Sequence, residues 1–254
     1  MPQVSGNATP LVKMENIAMK FGRVVALDNV DFDVRSQEIM ALMGDNGAGK
    51  STLIKILTGI YAPTSGQIRF EGEVVHITNP RHARALGIET VYQDLALVNL
   101  MSIGRNFFLG REPICQVGPL PWLNMGCIDR DTRGSLADIG IAIRSANDKV
   151  GTLSGGERQS IAIGRAVHFG MKLLILDEPT SALSVAESRK VLEYTLNAKE
   201  RGMSVIFITH NIHHVTQVAD RYTVIRHGKN VGTYDRDEVT ADDISDLITG
   251  ERES

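Results

Sequence analysis

The stretch Ile39-Met40-Ala41-Leu42-Met43-Gly44-Asp45-Asn46-Gly47-Ala48-Gly49-Lys50-Ser51-Thr52 decides the fold. Its opening run is wholly apolar, as in a strand covered on both faces. The run enters the spacing G-x-x-x-x-G-K-S, after which Leu53, Ile54, Ile56 and Leu57 recur at helical intervals up to a stop at Gly59. A glycine-rich turn is common by itself; between a buried strand and a helix start, this spacing has a mechanism. Glycines let successive backbone N–H groups turn inward on phosphate oxygens, and the helix adds its positive end. Gly44, Asp45, Asn46, Gly47, Ala48, Gly49, Lys50, Ser51 and Thr52 are therefore the candidate nucleotide-binding residues. Lys50 is placed to reach β- and γ-phosphates, and the Ser51 hydroxyl to hold Mg²⁺.

Downstream, Leu173-Leu174-Ile175-Leu176-Asp177-Glu178 reads as a second buried strand. It delivers Asp177 to the Mg²⁺ side of the phosphates, with Glu178 at the carboxyl end, where ligands of open α/β sheets bind. There Glu178 can polarise an attacking water. Acidic residues before a turn such as Pro179 are ordinary in isolation; beside the phosphate loop the functional reading is favoured. Between the two lies Leu153-Ser154-Gly155-Gly156-Glu157-Arg158-Gln159. Ser154 and Glu157 form a capping box that opens a helix. Gly155 and Gly156 are not explained by the box; they leave the helix start bare for a phosphate.

Outward from these motifs, the first third of the chain reads as short antiparallel strands: Leu11 to Ala18, Val30 to Val34, Gln67 to Phe70 and Val74 to Ile77. Ile88 to Gln93 is another strand. From Leu97 to Gly151 the pattern changes: Ser102 caps a short helix carrying Ile103 and Phe107, and Gly110 to Gly126, with Pro113, Pro119 and Pro121, is loop-like. A helix over Ala186 to Arg201, a strand over Ser204 to Thr209, a hairpin (Tyr222 to Ile225, Val231 to Tyr234) and a helix from Thr240 to Gly250 complete the chain. The predicted class is α/β, a P-loop NTPase (RecA-like) fold: a mostly parallel sheet with an N-terminal antiparallel β subdomain and an inserted helical subdomain.

Composition narrows the function. The 254 residues carry 27 basic and 30 acidic side chains, for a net charge of −3 and a pI near 6.2. Without a general basic field, nucleic acid is not an expected partner. Cys115 and Cys127 form neither a disulfide framework nor a paired zinc knuckle, which points to a reducing compartment. The polar opening MPQVSGNATP has no secretory signal, and no apolar run nears the roughly 18 residues of a membrane span.

Taken together, the chain resembles the nucleotide-binding subunit of an ATP-binding cassette (ABC) transporter, because LSGGERQ is that family's signature and stands unaltered at 153–159. The resemblance covers nearly the whole chain. It implies one cassette domain over 1–254, with the helical subdomain inserted at about 97–165. It implies that two cassettes dimerise head to tail with ATP and Mg²⁺, each ATP lying between one P-loop and the partner's signature. Ser154, Gly155, Gly156 and Gln159 would then face the ATP held by the partner's Lys50. Gln93 resembles the Q-loop glutamine, reaching Mg²⁺ and the attacking water. His210 resembles the switch histidine at the γ-phosphate, and Phe21 stands where the family stacks an aromatic ring on adenine. The implied catalytic set is Glu178, His210, Gln93 and Lys50, and the Mg²⁺ set Ser51, Gln93 and Asp177.

Two departures stand out. Ser184 replaces the usual Asp of the D-loop, and Ser36-Gln37 replaces a common Pro-Gly turn. Asn106-Phe107-Phe108-Leu109-Gly110-Arg111-Glu112 and the GDNGAGKS form of the P-loop are similar to those of monosaccharide importers of the ribose, xylose and fructose type. That implies an ATPase on the cytoplasmic face of the membrane, paired with a second cassette (a copy or a paralogue), docked on permease subunits and served by an extracytoplasmic sugar-binding protein. An importer of branched-chain amino acids or another solute, and a soluble non-transport cassette, are the alternatives. The signature opposes a P-loop kinase.

Overall fold

The computed structural model describes residues 9–117 and 120–251. The first eight residues of the polar opening, and Pro119 of the loop-like stretch, lie outside them.

Two sheets organise the chain. β1 (Val12–Phe21) and β2 (Val24–Val34) form an antiparallel hairpin, joined by β4 (Ser65–Phe70) and β5 (Glu73–Val75) in the order β2-β1-β4-β5. The second sheet holds β3 (Ile39–Met43), β6 (Ile88–Val91), β9 (Leu173–Asp177), β10 (Ser204–Ile208), β11 (Arg221–Arg226) and β12 (Lys229–Asp235) in the order β12-β11-β3-β10-β9-β6. All its pairings are parallel except the β11–β12 hairpin.

The apolar runs alternate between two cores, as a sheet covered on both faces requires. Met40, Leu42, Leu173, Ile175, Ile206 and Ile208 pack with α1 (Lys50–Leu57) and the antiparallel sheet. Ile39, Ala41, Leu174, Leu176, Val205 and Phe207 pack on the opposite face with Ile161, Val191, Val215 and Ile244. Buried Arg221 reaches Asp33 of β2 at 2.9 Å and Glu38 at 3.3 Å, clamping one sheet to the other.

The short helix α3 (Ile103–Phe107) forms as expected, capped by Ser102. It packs with α4 (Met125–Asp138) and α5 (Gly155–His168). A side chain at Gly164 of α5 would collide with Leu136, so the α4–α5 crossing depends on that glycine. The remaining helices are α2 (Pro80–Leu86), α6 (Val185–Glu200), α7 (Ile212–Val215) and α8 (Ala241–Thr249), the last boxed by Thr240 and Asp243 and stopped at Gly250.

Three expectations need correction. The stretch from Gly110 to Gly126 contains a hairpin, β7 (Ile114–Val117) with β8 (Leu120–Leu123), and Gly126 already belongs to α4. A two-stranded ribbon has only edges, so Pro121 is tolerated there. The strand over Val74 to Ile77 is instead Glu73–Val75. Finally, Gln93 does not end a strand: β6 stops where Val91 pairs with Leu176 at the sheet edge, leaving Gln93 in the loop beyond.

Candidate active site

The phosphate loop is held open by its own backbone. Gly44 has φ +142° and lies against the Ile225 carbonyl, so no side chain fits; Gly47 has φ +81° and faces open space. Gly49, at φ 113°, caps α1 with no side chain over the helix start and no acidic residue in its first turn. The N–H groups of that turn are therefore left for an anion. Lys50 is buried, and its Nζ donates to the carbonyls of Gly44 (2.6 Å) and Asp45 (2.9 Å). An ammonium has three donors, so one remains. Burial lowers the Lys50 pKa, opposed by the charges of Glu178, Asp177 and Asp45. Asp45, Asn46 and exposed Ser51 border the loop, Ala48 is buried beneath it, and Thr52 is half-buried on α1.

Parallel pairing of β9 with β10 brings the acidic residues to the same end of the sheet. The Asp177 carboxyl is pushed up by burial and then by the charge of Glu178, and it makes no hydrogen bond with another described residue. Glu178 sits at φ +49°, its N–H donating to the Ile208 carbonyl at 2.9 Å. This left-handed backbone is costly for a residue with a side chain. It aims the carboxylate at the β10 terminus, where Thr209 Oγ1 donates to Oε2 (3.3 Å) and His210 Nδ1 lies 2.8 Å from Oε1. The Glu178 side chain is 16% exposed and that of His210 66%, so the histidine is the partner open to solvent.

Ser154 caps α5 in the expected box: its Oγ accepts from Glu157 N–H (3.2 Å), and its own N–H donates to Glu157 Oε2 (2.8 Å). Gly156 N–H donates to Glu187 Oε1 at 3.1 Å. Gln159 is 6% exposed and its Nε2 makes no hydrogen bond with another described residue; with Gln93, Gly155 and Glu178 it lines a cleft of about 520 Å³.

The structure thus gathers Lys50, Asp177, Glu178 and His210 around one sheet end, with Gln93 and Gln159 lining the same cleft as Glu178. It does not bring Ser154 or Gly156 to Lys50: these line a separate cavity of about 860 Å³ that no P-loop residue enters. Phe21, at the tip of β1, is 42% exposed and meets Tyr61 edge-on, 5.3 Å between ring centres. Sequence reasoning passed over two residues of the site. Thr209 carried no motif, whereas Glu187 completes S-x-x-E with Ser184 and was legible as a second capping box.

A family model described as ABC transporter matches residues 27–181. The fructose import ATP-binding protein FrcA of Rhizobium meliloti is 43% identical over 249 residues, covering 96% of this chain and 95% of that protein. The xylose/arabinose import ATP-binding protein XylG of Sulfolobus acidocaldarius is 44% identical, covering 94% of each. The ribose import ATP-binding protein RbsA 2 of Escherichia coli O157:H7 is 39% identical, and this chain spans 47% of its length. Among solved structures, the ADP conformation of an ABC transporter cassette aligns with TM-score 0.81 at 22% identity, covering 95% and 96% of the chains.

Proposed function

This chain belongs to the ABC transporter family and is one of its ATPase cassettes, and from that premise we propose that it powers import of a simple sugar through an ATP-sandwich dimer. Two sugar-import relatives that this chain spans almost end to end support the cargo class. The arrangement of Glu178 carries the catalytic part: a strained backbone and two hydrogen-bonding neighbours hold one carboxylate beside the phosphate loop.

Phe21 packs against adenine, and Gly44 to Thr52 enclose the triphosphate, with the spare donor of Lys50 turned to the β- and γ-phosphates. The donor set fits Mg²⁺: the Ser51 hydroxyl, the Gln93 carboxamide oxygen and the half-buried Asp177 carboxylate are hard oxygen ligands, and the Asp177 carboxylate makes no hydrogen bond with another described residue. Bound there, the ion would neutralise charge on the phosphates. Glu178 orients a water for in-line attack on the γ-phosphorus and takes its proton. His210 turns from Glu178 Oε1 to the γ-phosphate, which its exposure permits. Ser154, Gly155, Gly156 and Gln159 serve the ATP of a second cassette, adding backbone donors at a helix N-terminus.

In this reading 97–165 is a helical subdomain inserted into the cassette, and permease subunits dock on it near Gln93 at the cytoplasmic face of the membrane. Among the described residues no helix is long and apolar enough to cross a bilayer. A sugar-binding protein outside the membrane supplies the cargo.

The test is to reconstitute the chain with its co-purifying membrane subunits and present binding proteins loaded with different solutes. ATP hydrolysis should rise several-fold with a monosaccharide-loaded protein. Stimulation by an amino-acid-loaded protein and by no sugar would transfer the subunit to another cargo.

A further inference from the structure

Gly156 offers its N–H at the start of α5, yet that N–H is taken. Glu187, in the first turn of α6, reaches across with Oε1 to accept from it at 3.1 Å. The other oxygen, Oε2, stays with its own helix, accepting from Ser184 N–H (3.0 Å) and Ser184 Oγ (2.8 Å). The positive ends of two long helices, α5 and α6, therefore converge on one carboxylate. A Cβ on Gly156 would lie 2.6 Å from Glu187 Cγ, so the glycine leaves room for this side chain.

We propose that Glu187 is a resident anion on the signature helix, occupying in the open subunit the donors that the partner's γ-phosphate must take when the dimer closes. The inference rests on the two-chain reading of the site given above. Two anions at one helix start repel, so phosphate entry requires Oε1 to leave Gly156. Oε2 can remain on Ser184 as Oε1 leaves, and the cavity of about 860 Å³ that Glu187 shares with Ser154 gives it room to turn, with Arg144 and Lys190 beside the acidic Asp148, Glu157 and Glu193 in its lining. Ser184 acquires a purpose here: its hydroxyl donates to Glu187, whereas the aspartate common at this position would set a second carboxylate against it. Glu187 is anionic at every physiological pH, held at about 2 by the Ser184 backbone and hydroxyl, then by Ser154 and Gly156. Glu187 is therefore a positioning residue that couples the D-loop segment to the signature of the same chain.

The test compares ATP-driven dimerisation by sedimentation in three forms of the full chain: Glu178→Gln alone, with Glu187→Gln, and with Glu187→Asp. The Gln variant removes the charge. The Asp variant keeps the cap, as Asp243 does under Thr240 in this same chain, but is one methylene short of Gly156. Each should dimerise at a half-maximal ATP concentration roughly tenfold below the reference, the scale of one charge-assisted hydrogen bond. A folded variant of either kind whose midpoint equals or exceeds the reference overturns the proposal. Absence of any ATP-driven dimer in the reference overturns the two-chain reading instead.

Discussion

Glu178→Gln should lower ATP turnover by about two to three orders of magnitude while leaving nucleotide affinity within a few-fold of the native value. The substitution is isosteric, so the backbone at φ +49° and the hydrogen bond from Thr209 can persist. What disappears is an oxygen able to take a proton from water. If that transfer is the role of Glu178, ATP should still bind and close the dimer, and the closed dimer should accumulate because it cannot discharge. Phosphate release in the steady state reads the first effect and sedimentation with ATP the second. A variant that turns over at the native rate would remove Glu178 from the mechanism and leave His210 to supply the base.

Lys50→Ala should act earlier, at binding. The side chain is buried and its ammonium ties the carbonyls of Gly44 and Asp45 together at 2.6 and 2.9 Å. Truncation removes the ammonium held inside the loop and leaves two carbonyls without their donor. With charge-assisted hydrogen bonds worth about 1.5–3 kcal/mol each, kcat/KM should fall roughly 10²- to 10⁴-fold. Lys50→Arg should rescue little, because a planar fork does not fit a pocket shaped for a compact point charge. Calorimetric titration with ATP separates the two variants: affinity survives in Glu178→Gln and is lost in Lys50→Ala. Native affinity in Lys50→Ala would mean that the loop backbone alone holds the triphosphate.

Much of this site could be read from local chemistry. The apolar run before Gly44, the helical spacing after Lys50 and the acidic end of Leu173–Asp177 each state one structure, and the S-x-x-E pair at Ser154 states a helix start. These are features in which propensity, burial and function agree. The helix α4 was hidden because its buried stripe is only Ile128, Thr132 and Leu136, with a polar residue in the middle and Gly126 and Gly134 in the helix. The β7–β8 hairpin was hidden by its prolines, which signal loops more strongly than edge strands. Glu178 and His210 were legible as a pair of roles, yet not as neighbours, since their contact depends on the register of β9 with β10. The bond from Glu187 to Gly156 depends on how α5 packs on α6, which no motif states.

Sharing of the reaction centre is the claim on which the rest depends, and the enzyme's dependence on its own concentration tests it most directly. Phosphate release per subunit, followed from micromolar down to far below the dimer dissociation constant at saturating ATP and Mg²⁺, should fall toward zero as subunits separate, because Ser154 and Gly156 do not reach Lys50 within one chain. A rate per subunit that stays constant across that dilution would show a complete site in a single cassette and contradict the sandwich.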